Sequence, residues 1–150
     1  MTRFYFAYGS NLWLEQMSGR CPNHKVIGKG ILKGYRWIIS ERGYANVVKS
    51  KPDEVHGVVY EVTESDEESL DKKEGIDRGL YRKEIIVAEI DGQSKNCLVY
   101  VDPVEQAGNP QQEYMERINK GIIDSKLSSE YVERYIRVFV PAQENCFSKK

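Results

Sequence analysis

Between Val26 and Val62 the chain strings together four strand-like runs, Val26–Leu32, Tyr35–Ser40, Ala45–Lys49 and Glu54–Val62, with only short turn signals between them. Strands that follow one another without intervening helices do not build a doubly wound sheet and predict an antiparallel or mixed, curled one. Three further runs, Thr2–Tyr8, Arg82–Ile90 and Ser94–Val101, extend it, and Asp91-Gly92 between the last two is a hairpin signal. Gly43-Tyr44 and Lys51-Pro52-Asp53 read as turns. Helical patterns occupy Asn11–Ser18, Ser65–Glu74, Gln111–Lys120 and Ser128–Arg137, with Gly121 expected to stop the third. The class is therefore α+β. Asp102–Gln112, with Pro103, Gly108, Asn109 and Pro110, reads as a loop of the kind that borders sites, and Gln143–Lys150 as a frayed tail.

A length of 150 residues suits one domain, 1–150, with a single core. The 22 basic and 23 acidic residues are interspersed to a net charge of −1, which leaves no field for nucleic acid or an anionic membrane. The expected partner is a small molecule, with self-association as a homodimer left open. The start of the chain lacks the apolar segment of a signal peptide, and no run approaches the ~18 apolar residues of a membrane span, so a cytoplasmic protein is expected. Cys21, Cys97 and Cys146 are too few and too scattered for a disulfide framework. Cys21 and His24 lack the further ligands that structural zinc needs, so no metal is expected. Neither a phosphate loop nor a dinucleotide fingerprint is present, Gly28-Lys-Gly30 being only superficially similar, and no cofactor is expected.

Two short motifs carry chemistry. In Phe4-Tyr-Phe-Ala-Tyr-Gly-Ser-Asn-Leu12 an apolar run breaks into Tyr8-Gly9-Ser10-Asn11, where a tight turn can converge backbone N–H groups on an anion. Asn11 reads as the N-cap of the helix that follows. In the second, Ser65 and Glu68 have capping-box spacing, Lys72 and Lys73 complement the last turn and Gly75 suits the left-handed C′ position. Glu74 alone opposes the helix dipole, which disfavours its ionised form, while Lys72, Lys73 and Arg78 act the other way.

Together these motifs resemble the γ-glutamylcyclotransferase family, through Tyr5 to Leu12, Gly57-Val-Val-Tyr60, Leu70-Asp-x-x-Glu-Gly75 with Tyr81 after it, Leu98-Val-Tyr100, Pro110 and Tyr114. The likeness spans nearly the whole chain and is greatest for the branch acting on γ-glutamyl amino acids and amines. It implies a small mixed β-barrel flanked by helices. It also implies a cofactor-free transferase that turns a γ-glutamyl compound into 5-oxoproline and a free amine or amino acid. In that chemistry the substrate's own α-amine attacks its γ-carbonyl, so the protein supplies a base, oxyanion donors and a carboxylate holder rather than a nucleophile.

The resemblance assigns the base to Glu74 and substrate contact to Tyr5, Phe6, Ala7, Tyr8, Gly9, Ser10 and Asn11, with Tyr100 and Tyr114 lining the cavity. The Asp102–Gln112 loop is expected to touch the leaving group. Arg82 is left out as a surface ion-pair partner. Two other readings stay open: a non-catalytic member binding a small ligand or a protein, and a thiol-dependent amidase using Cys97 or Cys21.

Overall fold

Strand β1, Thr2–Ala7, carries the aromatic run into the centre of the molecule and is paired on both edges. On one side it runs antiparallel to β3, Ala45–Thr63, in a register from Thr2 opposite Thr63 to Ala7 opposite Val58. On the other it meets β5, Gln93–Val101, in parallel, with Tyr5 opposite Leu98. Strands β2, Lys25–Ile39, and β4, Arg82–Ile90, complete a closed barrel in the order β1-β3-β2-β4-β5. The expected α+β fold, a small mixed barrel with flanking helices, is the one found. The structure is a computed structural model describing residues 2–142, so the expected frayed tail and Cys146 lie outside the described residues.

Closure leaves no long sheet edge and buries Phe6, Leu32, Val59, Tyr60 and Leu98 inside. Each such large apolar side chain contributes about 1.5–3 kcal/mol relative to an exposed one. The β4–β5 hairpin turns at Asp91-Gly92, where both residues have positive φ, 51° and 78°, as a two-residue primed turn requires.

Two of the expected strand breaks are absent. Val26–Leu32 and Tyr35–Ser40 fuse into β2, and Ala45–Lys49 and Glu54–Val62 fuse into β3. The ladder shifts register there instead: Lys33 pairs with Glu54 and Tyr35 with Lys49, so Lys51-Pro52-Asp53 bulges opposite Gly34 rather than reversing the chain.

Among the described residues four helices flank the barrel. The first expected helix is really a 3₁₀ turn, Ser10–Leu12, followed by α1, Leu14–Arg20. Asn11 is not its cap; the first N–H of α1, at Leu14, instead donates to Asp124 Oδ2 of α3 at 2.8 Å. Helix α2, Glu64–Lys73, starts one residue earlier than expected, with its capping box two residues earlier, Thr63 and Asp66 in place of Ser65 and Glu68. Helix α3, Gln112–Ser125, runs through Gly121 instead of stopping there. A Cβ at Gly121 would lie 2.7 Å from that of Leu12, so this glycine lets the helix press on the turn after β1, and Lys126 takes the left-handed cap position. Helix α4, Ser129–Tyr131, passes into a π-helical stretch, Val132–Ile136. Among the described residues no helix is long and apolar enough to cross a membrane.

Candidate active site

Seven segments converge on one cavity of about 460 Å³: the end of β1 with its 3₁₀ turn, α1, the β2–β3 turn, the end of α2, the stretch from Arg78 to Tyr81, β5, and α3. A volume of that size holds a dipeptide-sized ligand. Of the residues expected at the site, Glu74, Tyr5, Tyr8, Gly9, Ser10, Asn11, Tyr100 and Tyr114 all face this cavity. Phe6 and Ala7 do not. Side chains alternate along a strand, so Phe6, on the face opposite Tyr5, fills the barrel against Gly30 and Gly57; Ala7 is buried with its carbonyl oxygen against Gly57. The Asp102–Gln112 loop contributes nothing to the lining either; it binds the β2–β3 turn from behind, through Glu41 N to Gln106 O at 3.0 Å and Gly108 N to Ile39 O at 2.8 Å.

Glu74 occupies the C-cap of α2, its N–H donating to Leu70 O at 2.8 Å. Gly75 follows with φ 65°, and a Cβ there would collide with Leu80 at 2.7 Å, so the turn that aims Glu74 inward needs glycine. Burial among the cavity walls pushes the Glu74 carboxyl up from 4.5 to about 7, against the opposing pull of Arg20 and Arg42. Desolvation therefore does what the sequence assigned to the helix dipole, and the counteracting cations are not Lys72, Lys73 and Arg78.

At Gly9 the backbone passes so close to Tyr114 that a Cβ would lie 2.8 Å from the phenol oxygen and 3.1 Å from Ala45 Cβ. The following 3₁₀ turn closes with Leu12 N to Gly9 O and Trp13 N to Ser10 O, both 3.1 Å, and at its open end the Ser10 N–H is turned toward the Tyr114 phenol oxygen, with the Asn11 N–H beside it. Asn11 is buried; its side-chain amide donates to Tyr5 Oη at 2.9 Å and its oxygen accepts from Arg20 Nη1 at 3.1 Å and Gln16 Nε2 at 2.8 Å. Asn11 thus ties β1 to α1 rather than capping a helix.

The tyrosines divide by what their hydroxyls do. Tyr8 donates to Tyr100 O at 2.6 Å, Tyr81 to Ala45 O at 2.9 Å and Tyr100 to Asp71 Oδ1 at 2.7 Å. Tyr5 and Tyr114 accept instead, from Asn11 and from Ala45 N at 3.3 Å, and keep their own protons for the cavity. Burial raises the phenols of Tyr5, Tyr8 and Tyr81 well above the ordinary range and that of Tyr114 to about 12, so all stay neutral donors at physiological pH.

Sequence reasoning named Tyr81 as a motif residue without placing it in the site, and missed Tyr44, Leu80 and the cations of the lining, of which Arg42 is the most firmly held. Its Nε and Nη2 donate to Asp102 Oδ2 at 3.1 and 2.9 Å, and Nη2 also donates to Leu80 O at 3.0 Å. Arg42 and Asp102 are 60 positions apart, with no local spacing to signal the pair. Cys21 and Cys97 lie outside the cavity, and burial raises their thiols to about 12 and about 11, which removes the basis of a thiol-dependent amidase. Among the described residues no group of three or more His, Cys, Asp and Glu side chains is placed to hold a metal ion.

Residues 54–135 match the AIG2-like family. The γ-glutamylcyclotransferase of Mus musculus is 33% identical over 144 residues, spanning 89% of this chain and 77% of that protein. The Homo sapiens γ-glutamylcyclotransferase is 30% identical over 141 residues, spanning 87% and 75%. A solved structure named gamma-glutamyl cyclotransferase superposes with a TM-score of 0.84 at 25% identity, over 97% of this chain and 91% of that one.

Proposed function

The chain belongs to the AIG2-like family of γ-glutamylcyclotransferases, and on that premise we propose that its cavity converts γ-glutamyl amino acids or amines into 5-oxoproline and the released amino acid or amine. The observation that carries the reading is the placement of one carboxyl, Glu74, poised at about 7 and sharing a cavity with the Gly9-Ser10-Asn11 turn. A base near neutrality matches what removal of an ammonium proton requires.

In this reading Glu74 accepts a proton from the substrate α-ammonium, and the freed amine attacks its own γ-carbon. A C–N bond to the attacking nitrogen forms and the amide C–N bond breaks. The departing nitrogen takes up the two protons that the attacking nitrogen sheds, the first by way of Glu74, and no water is consumed. Because nucleophile and electrophile belong to one molecule, the side chains serve to fold and desolvate it rather than to attack. Tyr5 and Tyr114, whose oxygens accept from the protein, are the side-chain donors available to the developing oxyanion, and the Asn11 N–H is the backbone one. No cofactor or metal enters any step.

The test is to incubate the protein with γ-glutamyl amino acids, γ-glutamylamines and glutathione and to follow 5-oxoproline by mass spectrometry. Its release from at least one member, abolished in Glu74→Gln, is expected; a blank panel overturns the reading.

A further inference from the structure

Resting on that reading, we propose that the preferred leaving group is itself an acid, an amino acid or short peptide with two carboxylates, and that Arg42 with Arg78 is its docking point.

The charges in the cavity are lopsided. Arg20, Arg42, Lys73, Arg78 and Arg117 line it against the single carboxylate of Glu74. The whole chain has a net charge of −1, so this excess is local and not compositional. Two of the cations have acids at their backs, Asp102 behind Arg42 and Glu113 on Arg117. Arg20 holds only the Asn11 amide, at 3.1 Å, and neither Lys73 nor Arg78 makes an ion pair among the described residues. Three positive charges thus face the cavity without an acidic partner.

A γ-glutamyl unit satisfies little of this. Its ammonium pairs with Glu74 and its α-carboxylate with one cation, which leaves two unmatched. A neutral leaving amine would leave both unmatched, and a cationic one would be repelled. A leaving group with two carboxylates supplies one to the unpaired Arg78 and one to the pinned guanidinium of Arg42, while Lys73 is exposed to solvent.

Geometry separates the two ends. Arg20 is bonded to Asn11, which is bonded to Tyr5, so it belongs to the end where the glutamyl unit meets the turn after β1. Arg42 stands in a separate setting, its guanidinium 5.2 Å from the ring centre of Tyr81 and 5.9 Å from that of Tyr44. Asp102 and Leu80 O occupy Nε and Nη2, which leaves Nη1 open to the cavity. A guanidinium pinned in this way presents its remaining donors in a fixed direction, the arrangement suited to a carboxylate. Arg78 lines the same cavity and is exposed, so its charge is reachable from solvent.

The experiment compares kcat/KM for γ-glutamyl-glutamate, its leaving-group diamide and γ-glutamyl-lysine, read as 5-oxoproline. The diacid is expected to exceed the diamide by about tenfold or more, the worth of a charge-assisted contact. That advantage should shrink in ~1 M salt, where screening acts within about 3 Å. Arg42→Lys and Arg78→Gln should each lower the diacid-to-diamide ratio. Arg42→Lys keeps a cation for Asp102, and Arg78→Gln removes a side chain without an ionic partner, so at least one folds. Equal rates on diacid and diamide, faster turnover of γ-glutamyl-lysine, or a ratio unmoved in both variants overturns the proposal while cyclisation stands. Absence of 5-oxoproline from all three compounds overturns cyclisation and this proposal with it.

Discussion

Asp102, fully buried, receives two hydrogen bonds from Arg42 across the gap between the end of β5 and the β2–β3 turn. The same carboxylate accepts from Ser40 Oγ at 3.0 Å and from Val104 N at 2.8 Å, so one acid fixes a cation, a turn and a loop. Removing one member of a fully buried pair costs about 3–5 kcal/mol, and the loss here is smaller because the Arg42 side chain left behind is 27% exposed. Asp102→Ala should therefore lower the melting temperature markedly and weaken catalysis through Arg42. A melting curve like that of the wild type would show that the pair does not hold the turn.

Glu74→Gln keeps the shape of the side chain but removes its basicity. Turnover should fall by about 10²-fold or more, as expected on loss of a general base. Near-wild-type 5-oxoproline release by this variant would refute the assignment of the base.

The raised Glu74 carboxyl also fixes two pH dependences. The base must be ionised to act, so kcat/KM should rise with pH through about 7. Stability runs the other way. The folded carboxyl titrates at about 7 against 4.5 for the free group, so its favourable contribution is complete below 4.5 and lost as pH rises through 7. The difference is ~3 kcal/mol at most. Glu74→Gln should consequently melt higher than wild type at pH 8 and close to it at pH 4, a crossover that differential scanning calorimetry would detect.

Tyr5→Phe and Tyr114→Phe remove the two phenol protons that the protein leaves unspent. Loss of an oxyanion donor costs about 10²–10³-fold in kcat, and one of the two should show it. Tyr8→Phe instead strands the buried Tyr100 carbonyl, so its effect of about 1–3 kcal/mol should register in the melting temperature first. Equal kinetics for all three variants would place the oxyanion donors in the backbone alone.

Gly9→Val puts a branched side chain where even a Cβ comes 2.8 Å from Tyr114 Oη. Displacing Tyr114 moves the wall of the cavity, so activity should suffer more than the ~1–3 kcal/mol of overpacking taken from stability. A variant that melts and turns over normally would show that the close approach is dispensable.

The two motifs legible in the sequence, Tyr8-Gly9-Ser10-Asn11 and the turn ending at Glu74-Gly75, are contiguous stretches whose local chemistry declares itself, and both face the cavity. Phe6 was swept in because a motif read as a string ignores the alternation of a strand, and Ala7 because its position beside β3, against Gly57, is set by barrel closure. Arg42, Tyr44 and Asp102 were invisible for the opposite reason: each is ordinary in its own segment and gains meaning only when barrel closure assembles distant turns. The misjudged breaks at Pro52 and Gly121 share a cause. Both residues are helix or strand breakers by local propensity, and tertiary packing overrides them, through a bulge opposite Gly34 in one case and contact with Leu12 in the other.

The parallel pairing of Tyr5 with Leu98 has a kinetic corollary. The first strand of the chain cannot find both its neighbours until a segment more than ninety positions away has been made and brought back, a loop closure of high contact order. The turn after β1 takes its place beside Glu74 only with that step. Recovery of activity during refolding should then track the slowest structural phase instead of preceding it, and a nascent chain is inert until its fifth strand arrives.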